Sequence, residues 1–255
     1  TALLGSPVAH SISPLMHNES FRLLGLDYVY LCFDVNEETL PAAVAGLKTC
    51  GIRGFNLTMP NKNKIVELLD ELSPEAQLIG AVNTVLNDNG KLIGYNTDGY
   101  GFMQSVRDAG HDITGKNITV MGVGGASMAI CAQSALDGAA SVHIFARRTS
   151  RYWNRTQKFA ENLSAKTGCQ VCLFDNDDHT ALRDSIAQSY LLINATSVGM
   201  VPDIDDTIIK DTSLFHPELV VADVVYEPQE TRLLREAKAA GCQTFNGMYM
   251  LLHQG

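Results

Sequence analysis

Several short segments of this chain carry residue types able to do chemistry. Gly122-Val-Gly124-Gly125-Ala126 follows a β-branched apolar run, Ile118 to Val123, and opens a small-residue stretch that reads as helix to about Leu136. Glycine at the first position permits a tight turn. At the second, the missing Cβ lets the backbone approach a pyrophosphate, which then rests on a helix N-terminus. The placement between strand and helix, with a second strand at Val142 to Ala146, gives the motif its weight; a glycine turn needed only for packing is the plainer alternative. That second strand ends in Phe145-Ala146-Arg147-Arg148-Thr149, with Arg151 and Arg155 close behind and no acidic residue to bind the adenosine ribose. Arginine stacks on adenine and grips phosphate through its fork of donors, so NADP is the expected cofactor. NAD stays open, because a carboxylate is not the sole way to hold ribose.

Three polar clusters lie in the N-terminal half. His10-Ser11-Ile12-Ser13-Pro14 stands near the start of a helix, where its two serines suit either a small anion or a helix cap. Asn56-Leu-Thr58-Met-Pro60-Asn61-Lys62 is a strand end turning through proline into a lysine. Ala81-Val-Asn83-Thr84 is followed by Gly94-Tyr-Asn96-Thr97-Asp98-Gly99. Each alone has a plain reading as a cap, a surface lysine or a turn. Their occurrence together with a dinucleotide loop turns the reading toward a redox enzyme.

The elements that must position these residues are α/β throughout. After about Gly115, β-rich runs at 118–123, 142–146, 171–174, 191–194 and 220–224 alternate with helical segments such as 152–166. That pattern implies a doubly wound parallel sheet. Before it, strands at 28–35 and 54–57 alternate with helices at 13–24, 41–48 and 62–69, without a phosphate loop. A helix over 99–109 leads from one part to the other, and 231–240 and 247–254 are helical. The expected arrangement is an N-terminal α/β domain, residues 1–103 completed by 238–255, and a Rossmann-like domain, 104–237, with a cleft between them.

The chain has 255 residues, 45% of them hydrophobic, 18% charged, and a net charge of -9. The absence of a Lys/Arg stripe argues against a nucleic-acid surface, and no run approaches the length of a membrane span. Cys169-Gln-Val-Cys172 matches C-x-x-C, but no further Cys pair or nearby His completes a zinc site, so no metal is expected. No basic n-region with an apolar h-region is apparent near Thr1, so a cytoplasmic protein is the expectation.

Taken in order, these motifs resemble those of the shikimate dehydrogenases, including the quinate/shikimate dehydrogenases. The matching segments are Gly5-Ser-Pro7-Val-Ala-His10-Ser11-Ile-Ser13-Pro14, Asn56 to Lys62, Gly80 to Thr84, Asn96 to Gly99, Gly122 to Ala126, Asn194-Ala-Thr196-Ser-Val198-Gly199-Met200 and Gly247 through Gln254. The resemblance spans essentially the whole chain. It implies NADPH-dependent reduction of 3-dehydroshikimate to shikimate, with Lys62 and Asp98 flanking the reacting hydroxyl and Lys62 handling the proton. It further implies that Ser11 and Ser13 hold the substrate carboxylate and that Thr58, Asn83 and Gln254 bind ring hydroxyls. Tyr226 is another candidate for the carboxylate. The cofactor would rest on Gly122, Gly124, Gly125, Ala126, Arg147, Arg148 and Gly247, with Thr196, Val198 and Met200 lining the nicotinamide pocket. Two positions depart from the family pattern: Tyr249 replaces a glycine near the nicotinamide, and Ala146 replaces the asparagine before the cofactor-selecting arginine. Asn61 looks more like the dual-specificity relatives, so a quinate/shikimate dehydrogenase using NAD is the second expectation. A catalytically idle redox sensor is the reading of another class, disfavoured by intact Lys62 and Asp98. Family precedent allows a monomer or a homodimer acting on a small molecule.

Overall fold

The computed structural model describes residues 1–9 and 11–254; His10, of the first polar cluster, and Gly255 lie outside the described residues. The chain forms two compact units that divide between Thr97 and Asp98.

The first unit is built on a six-stranded mixed sheet of order β2-β1-β3-β5-β6-β4, with β1 Ala2–Gly5, β2 Leu31–Asp34, β3 Gly54–Leu57, β4 Glu71–Leu72, β5 Thr84–Asp88 and β6 Lys91–Tyr95. Strands β1, β2 and β3 run parallel, whereas β5 is antiparallel to both β3 and β6. Helix α2, Leu40–Thr49, covers one face together with a 3₁₀ turn over Lys64–Leu68, burying Leu40, Val44 and Ile65 against Leu4, Phe55 and Leu57. Helices α1, Ser13–Leu23, and α3, Pro74–Ile79, complete the unit.

Two expectations fail locally here for physical reasons. The helix expected over 62–69 is only the 3₁₀ turn from Lys64. Its asparagines bond to distant backbone instead of propagating a helix: Asn61 Nδ2 donates to Val35 O at 2.7 Å and Asn63 Nδ2 to Gly80 O at 2.8 Å. The β5–β6 hairpin is absent from the sequence reading, although its turn, Asn89-Gly90, has the positive φ values of 52° and 92° that a two-residue hairpin requires.

The second unit has an all-parallel sheet of order β12-β11-β10-β7-β8-β9, as the alternating pattern implied. Its strands are β7 Asn117–Met121, β8 Ser141–Ala146, β9 Gln170–Asp175, β10 Leu191–Asn194, β11 Val220–Asp223 and β12 Gln243–Phe245. The wholly buried β10 and β11 explain the continuous apolar runs, since helices cover both faces of such a sheet. The helices are α4 Asp98–Asp108, α5 Gly125–Leu136, α6 Trp153–Thr167, α7 His179–Gln188, α8 Arg232–Ala239 and α9 Met248–Gln254. Cys169 is buried and Cys172 partly buried in or beside β9, and no His/Cys/Asp/Glu group able to hold a metal occurs among the described residues. No helix is long and apolar enough to cross a membrane.

Helix α4 packs on both α5 and α9 within this unit. The contact is close enough to need glycine: a Cβ on Gly99 would stand 2.3 Å from Ala129 O of α5. Gly99→Ala therefore lowers the urea-unfolding stability by ~1–3 kcal/mol through overpacking. Gly124→Ala, where a Cβ would meet no atom within 4 Å, leaves stability nearly unchanged. Equal losses at the two positions would contradict this packing.

Candidate active site

In the first unit the polar residues gather where β1 and β3 end and β5 begins. Thr58 follows β3 directly and donates its N–H to Leu4 O at 3.0 Å. Asn61 N–H donates to Thr58 O at 2.9 Å, and Val82 N–H donates to Lys62 O at 2.8 Å. The segment 58–62 is thus pinned between the end of β1 and the approach to β5, with the Lys62 side chain partly buried. Asn83 is buried, and its amide ties the start of β5 to the segment that follows β6. Its Nδ2 donates to Thr97 Oγ1 at 3.0 Å, while its Oδ1 accepts from Thr97 N–H at 2.9 Å and from Thr84 Oγ1 at 3.0 Å. Asn56 extends this network: its Nδ2 donates to Thr84 Oγ1 and its Oδ1 accepts from Tyr30 Oη at 2.8 Å. Ser11 Oγ accepts from Ser13 N–H at 3.2 Å, and Ser13 opens α1, whose cap position, Ile12, has no side-chain cap. The structure therefore brings Thr58, Lys62 and Asn83 together within one unit.

In the second unit strand order reverses between β7 and β10, and ligands of such sheets bind outside the carboxyl ends of the strands at that point. Gly122 leaves β7 with φ +111°, and a Cβ there would stand 2.8 Å from Thr196 Cγ2, so the loops after β7 and β10 are in contact. Gly124 caps α5 in extended conformation, and neither it nor Gly125 has an atom within 4 Å of where a Cβ would lie. The open backbone at a helix start fits a pyrophosphate. Ser127, which the sequence reading passed over, holds this turn: its buried Oγ donates to Gly122 O at 2.6 Å. It occupies the third position of G-x-G-x-x-G, the one signal that could have singled it out.

Asp98 opens α4 and is 3% exposed; a carboxylate in the first turn is favoured by the helix dipole. Beyond β8, Arg147 is exposed, whereas Arg148 lies 4.6 Å over the Trp153 ring and Arg151 4.7 Å over that of Tyr152. After β10, Thr196 and Val198 are partly buried and Met200 exposed. Tyr226, after β11, is exposed. Gly247 approaches Val224 so closely that a Cβ would lie 2.1 Å from its carbonyl oxygen. Gln254 closes α9, its N–H near Gly101 of α4. Tyr249 is 60% exposed with its ring 6.4 Å from that of His253.

A shikimate dehydrogenase (NADP(+)) of Listeria innocua is 50% identical over 253 residues, covering 99% of this chain and 87% of that relative. The chain belongs to the shikimate dehydrogenase family. The family model for the shikimate dehydrogenase substrate binding domain matches residues 3–85. A Streptococcus pyogenes shikimate dehydrogenase (NADP(+)) is 48% identical over 257 residues, covering 100% of this chain and 88% of its own length. The crystal structure of shikimate 5-dehydrogenase from Listeria monocytogenes, in complex with shikimate and NAD, matches with a TM-score of 0.97 at 49% identity, over 99% of this chain and 87% of that one.

Against this family background one buried carboxylate stands out that sequence reasoning left aside. Asp223, at the end of β11, is 0% exposed. Its Oδ1 accepts from Val225 N–H and from Asn194 Nδ2, both at 3.0 Å, and its Oδ2 accepts from Thr231 Oγ1 at 2.7 Å. The signal was an acidic residue closing an otherwise apolar strand. Burial pushes its carboxyl up to about 6, with the three donors partly opposing that shift. Since the folded value lies above the ordinary one, the ionised group weakens the fold at neutral pH, and stability is regained as pH falls through 6 toward 4. Asp223→Asn keeps the shape without the charge. The stability of the native protein relative to this variant should rise by about 2 kcal/mol between pH 7.5 and pH 4.5 in urea unfolding; a flat difference would contradict the assignment.

Proposed function

We propose that this chain is an oxidoreductase that reversibly reduces 3-dehydroshikimate to shikimate with NADPH, in the cytoplasm. The observation that carries this reading is the whole-chain identity to NADP-linked shikimate dehydrogenases, together with a dinucleotide loop whose open glycines lie at the sheet's reversal point. We assign most of the substrate-binding residues to the first unit and the dinucleotide-binding residues to the second.

The bound cofactor supplies a hydride to the substrate carbonyl carbon. Lys62 gives a proton to the carbonyl oxygen as it becomes a hydroxyl and takes it back in the reverse direction; Asp98 is the second catalytic group. The segment holding Lys62 is fixed through its own carbonyl and that of Thr58, which serves proton transfer, where position matters as much as acidity. Ser11 and Ser13 take the substrate carboxylate, with Tyr226 as a further partner. Thr58, Asn83 and Gln254 take ring hydroxyls, and Asn83 suits this because its amide is locked by Thr84 and Thr97. Gly122, Gly124, Gly125 and Ala126 hold the pyrophosphate; Thr196, Val198, Met200 and Gly247 hold the nicotinamide end. Arg147, exposed after β8, reads the 2′-phosphate, and Arg148, already stacked on Trp153, walls the adenosine side.

A second reading, quinate as well as shikimate with NAD, is supported by Ala146 in place of asparagine and by the engagement of Arg148 with Trp153. Comparing kcat/KM for shikimate and quinate, each with NADP and NAD, separates the two; turnover in none of the four combinations would overturn both. Lys62→Ala should cost ~10²–10⁴-fold in kcat, and a normal kcat would remove Lys62 from the mechanism. Arg147→Ala should raise KM for NADP more than for NAD.

A further inference from the structure

Four segments meet around the carboxyl ends of β7, β10 and β11, and their polar atoms run through a single buried group. Asn194, the last residue of β10, gives one amide hydrogen to Asp223 Oδ1 at 3.0 Å and the other to Val198 O at 3.1 Å. Its Oδ1 accepts from Thr196 N–H at 3.1 Å and from Thr196 Oγ1 at 2.6 Å, and Thr196 Oγ1 accepts in turn from Val198 N–H at 3.1 Å. The whole β10 loop from 194 to 198 is thereby folded over one amide, and that amide is aimed by Asp223. Thr196 then touches the phosphate-loop glycine, Gly122.

The other side of the same carboxyl orders the β11 loop. Val225 N–H closes on Oδ1, holding Val224 where Gly247 packs against its carbonyl. Thr231 Oγ1 donates to Oδ2 while also capping α8 by accepting from Leu234 N–H at 3.4 Å. Thr231 lies against Gly199, whose hypothetical Cβ would be 3.4 Å from Thr231 Cβ. The loop after β10 is thus clasped twice, through Asn194 and through Thr231, and both clasps end on Asp223.

We propose that Asp223 is a positioning residue for cofactor binding, fixing the β10 loop, residues 195–200, and the β11 loop, 224–231, in the arrangement that receives the nicotinamide end. This rests on the assignment of Thr196, Val198 and Met200 to that end. The carboxyl touches neither cofactor nor substrate. It supplies three acceptor interactions that no apolar side chain replaces, and losing them leaves Asn194 Nδ2, Val225 N–H and Thr231 Oγ1 buried without that partner. Asparagine at 223 retains the Oδ1 acceptor for both N–H donors, and its Nδ2 donates to Thr231 Oγ1, so Asp223→Asn preserves the clasp while Asp223→Ala removes it.

The test combines amide hydrogen exchange of the cofactor-free protein with NADP⁺ titration calorimetry. In Asp223→Ala, peptides over 195–200 and 224–231 should exchange at least ~10-fold faster while those over β7 and β8 stay as in the native protein, and Kd for NADP⁺ should rise ~10–100-fold. Asp223→Asn should restore both readouts to within about threefold. Thr231→Val, which keeps the two Oδ1 interactions, should show the same pattern at smaller amplitude and serves if Asp223→Ala does not fold. Native exchange in both loops of Asp223→Ala, or of Thr231→Val where that stands in, would overturn the proposal. Loosened loops with an unchanged Kd would instead overturn the assignment of these loops to the cofactor and leave the clasp standing.

Discussion

The reversal of strand order between β7 and β10 is the constraint on which the second unit's chemistry depends. On either side of it the connecting helices leave the sheet toward opposite faces, so the carboxyl ends of the strands bound a crevice with no helix across it. Backbone donors and acceptors at such strand ends have lost their ladder partners and must be satisfied by side chains or by a ligand. The loop after β7 leaves its helix-start amides open, with Gly124 and Gly125 keeping side chains away. The loops after β10 and β11 do the reverse. They satisfy themselves internally through Asn194, Thr196, Thr231 and Asp223. One loop leaves its amides open and two close theirs on their own side chains.

The first unit solves the same problem with amides. Its sheet changes from parallel to antiparallel at β5, and the residues at that change, Asn56, Asn83 and Thr84, bond to one another across the strands. An asparagine offers donors and an acceptor on one planar group, so one side chain can tie two neighbours and keep a fixed orientation. Asn61 and Asn63 each spend an amide N–H on distant backbone to hold the turn carrying Lys62, at the expense of a regular helix. A lysine on a long flexible stem gains precision chiefly from the backbone beneath it, and here that backbone is held on both sides.

This division explains what could be read in advance. The parallel sheet was legible because buried β-branched runs such as Ile118 to Met121 and Val220 to Ala222 leave few other readings, and Gly122 to Ala126 lay where a phosphate loop must. The choice of Lys62 and Asp98 rests on the ordered motifs that accompany them, not on anything local to either residue. The β5–β6 hairpin was not legible because Val85-Leu86 and the buried Asn87 break any apolar/polar alternation, although Asn89-Gly90 announced the turn. Ser127 and Asp223 were missed for a deeper reason. Their roles lie in what they accept or donate across the fold, at Gly122 O, Asn194 Nδ2 and Thr231 Oγ1, and local composition carries no record of partners 5, 29 and 8 residues away.

The basic loop after β8 shows how the same three-dimensional bookkeeping alters a charge argument. From composition, Arg147, Arg148, Arg151 and Arg155 form one positive cluster suited to a 2′-phosphate. In the fold Arg148 lies on Trp153 and Arg151 on Tyr152, the latter also donating from Nη2 to Tyr152 Oη at 2.6 Å. A guanidinium held over an aromatic face keeps its charge but gives up part of its freedom to reach a phosphate. Arg147, exposed at the strand end, retains freedom to turn its fork toward a phosphate. On the proposed assignment, selectivity for a phosphorylated ribose would rest on one adaptable arginine, and Ala146 at the adjoining position carries no hydrogen-bonding side chain to share that task. A loop of this kind favours the extra charge of NADP through Coulomb attraction while presenting little that would reject NAD, since discrimination against the smaller cofactor would need a group left unpaired by its absence.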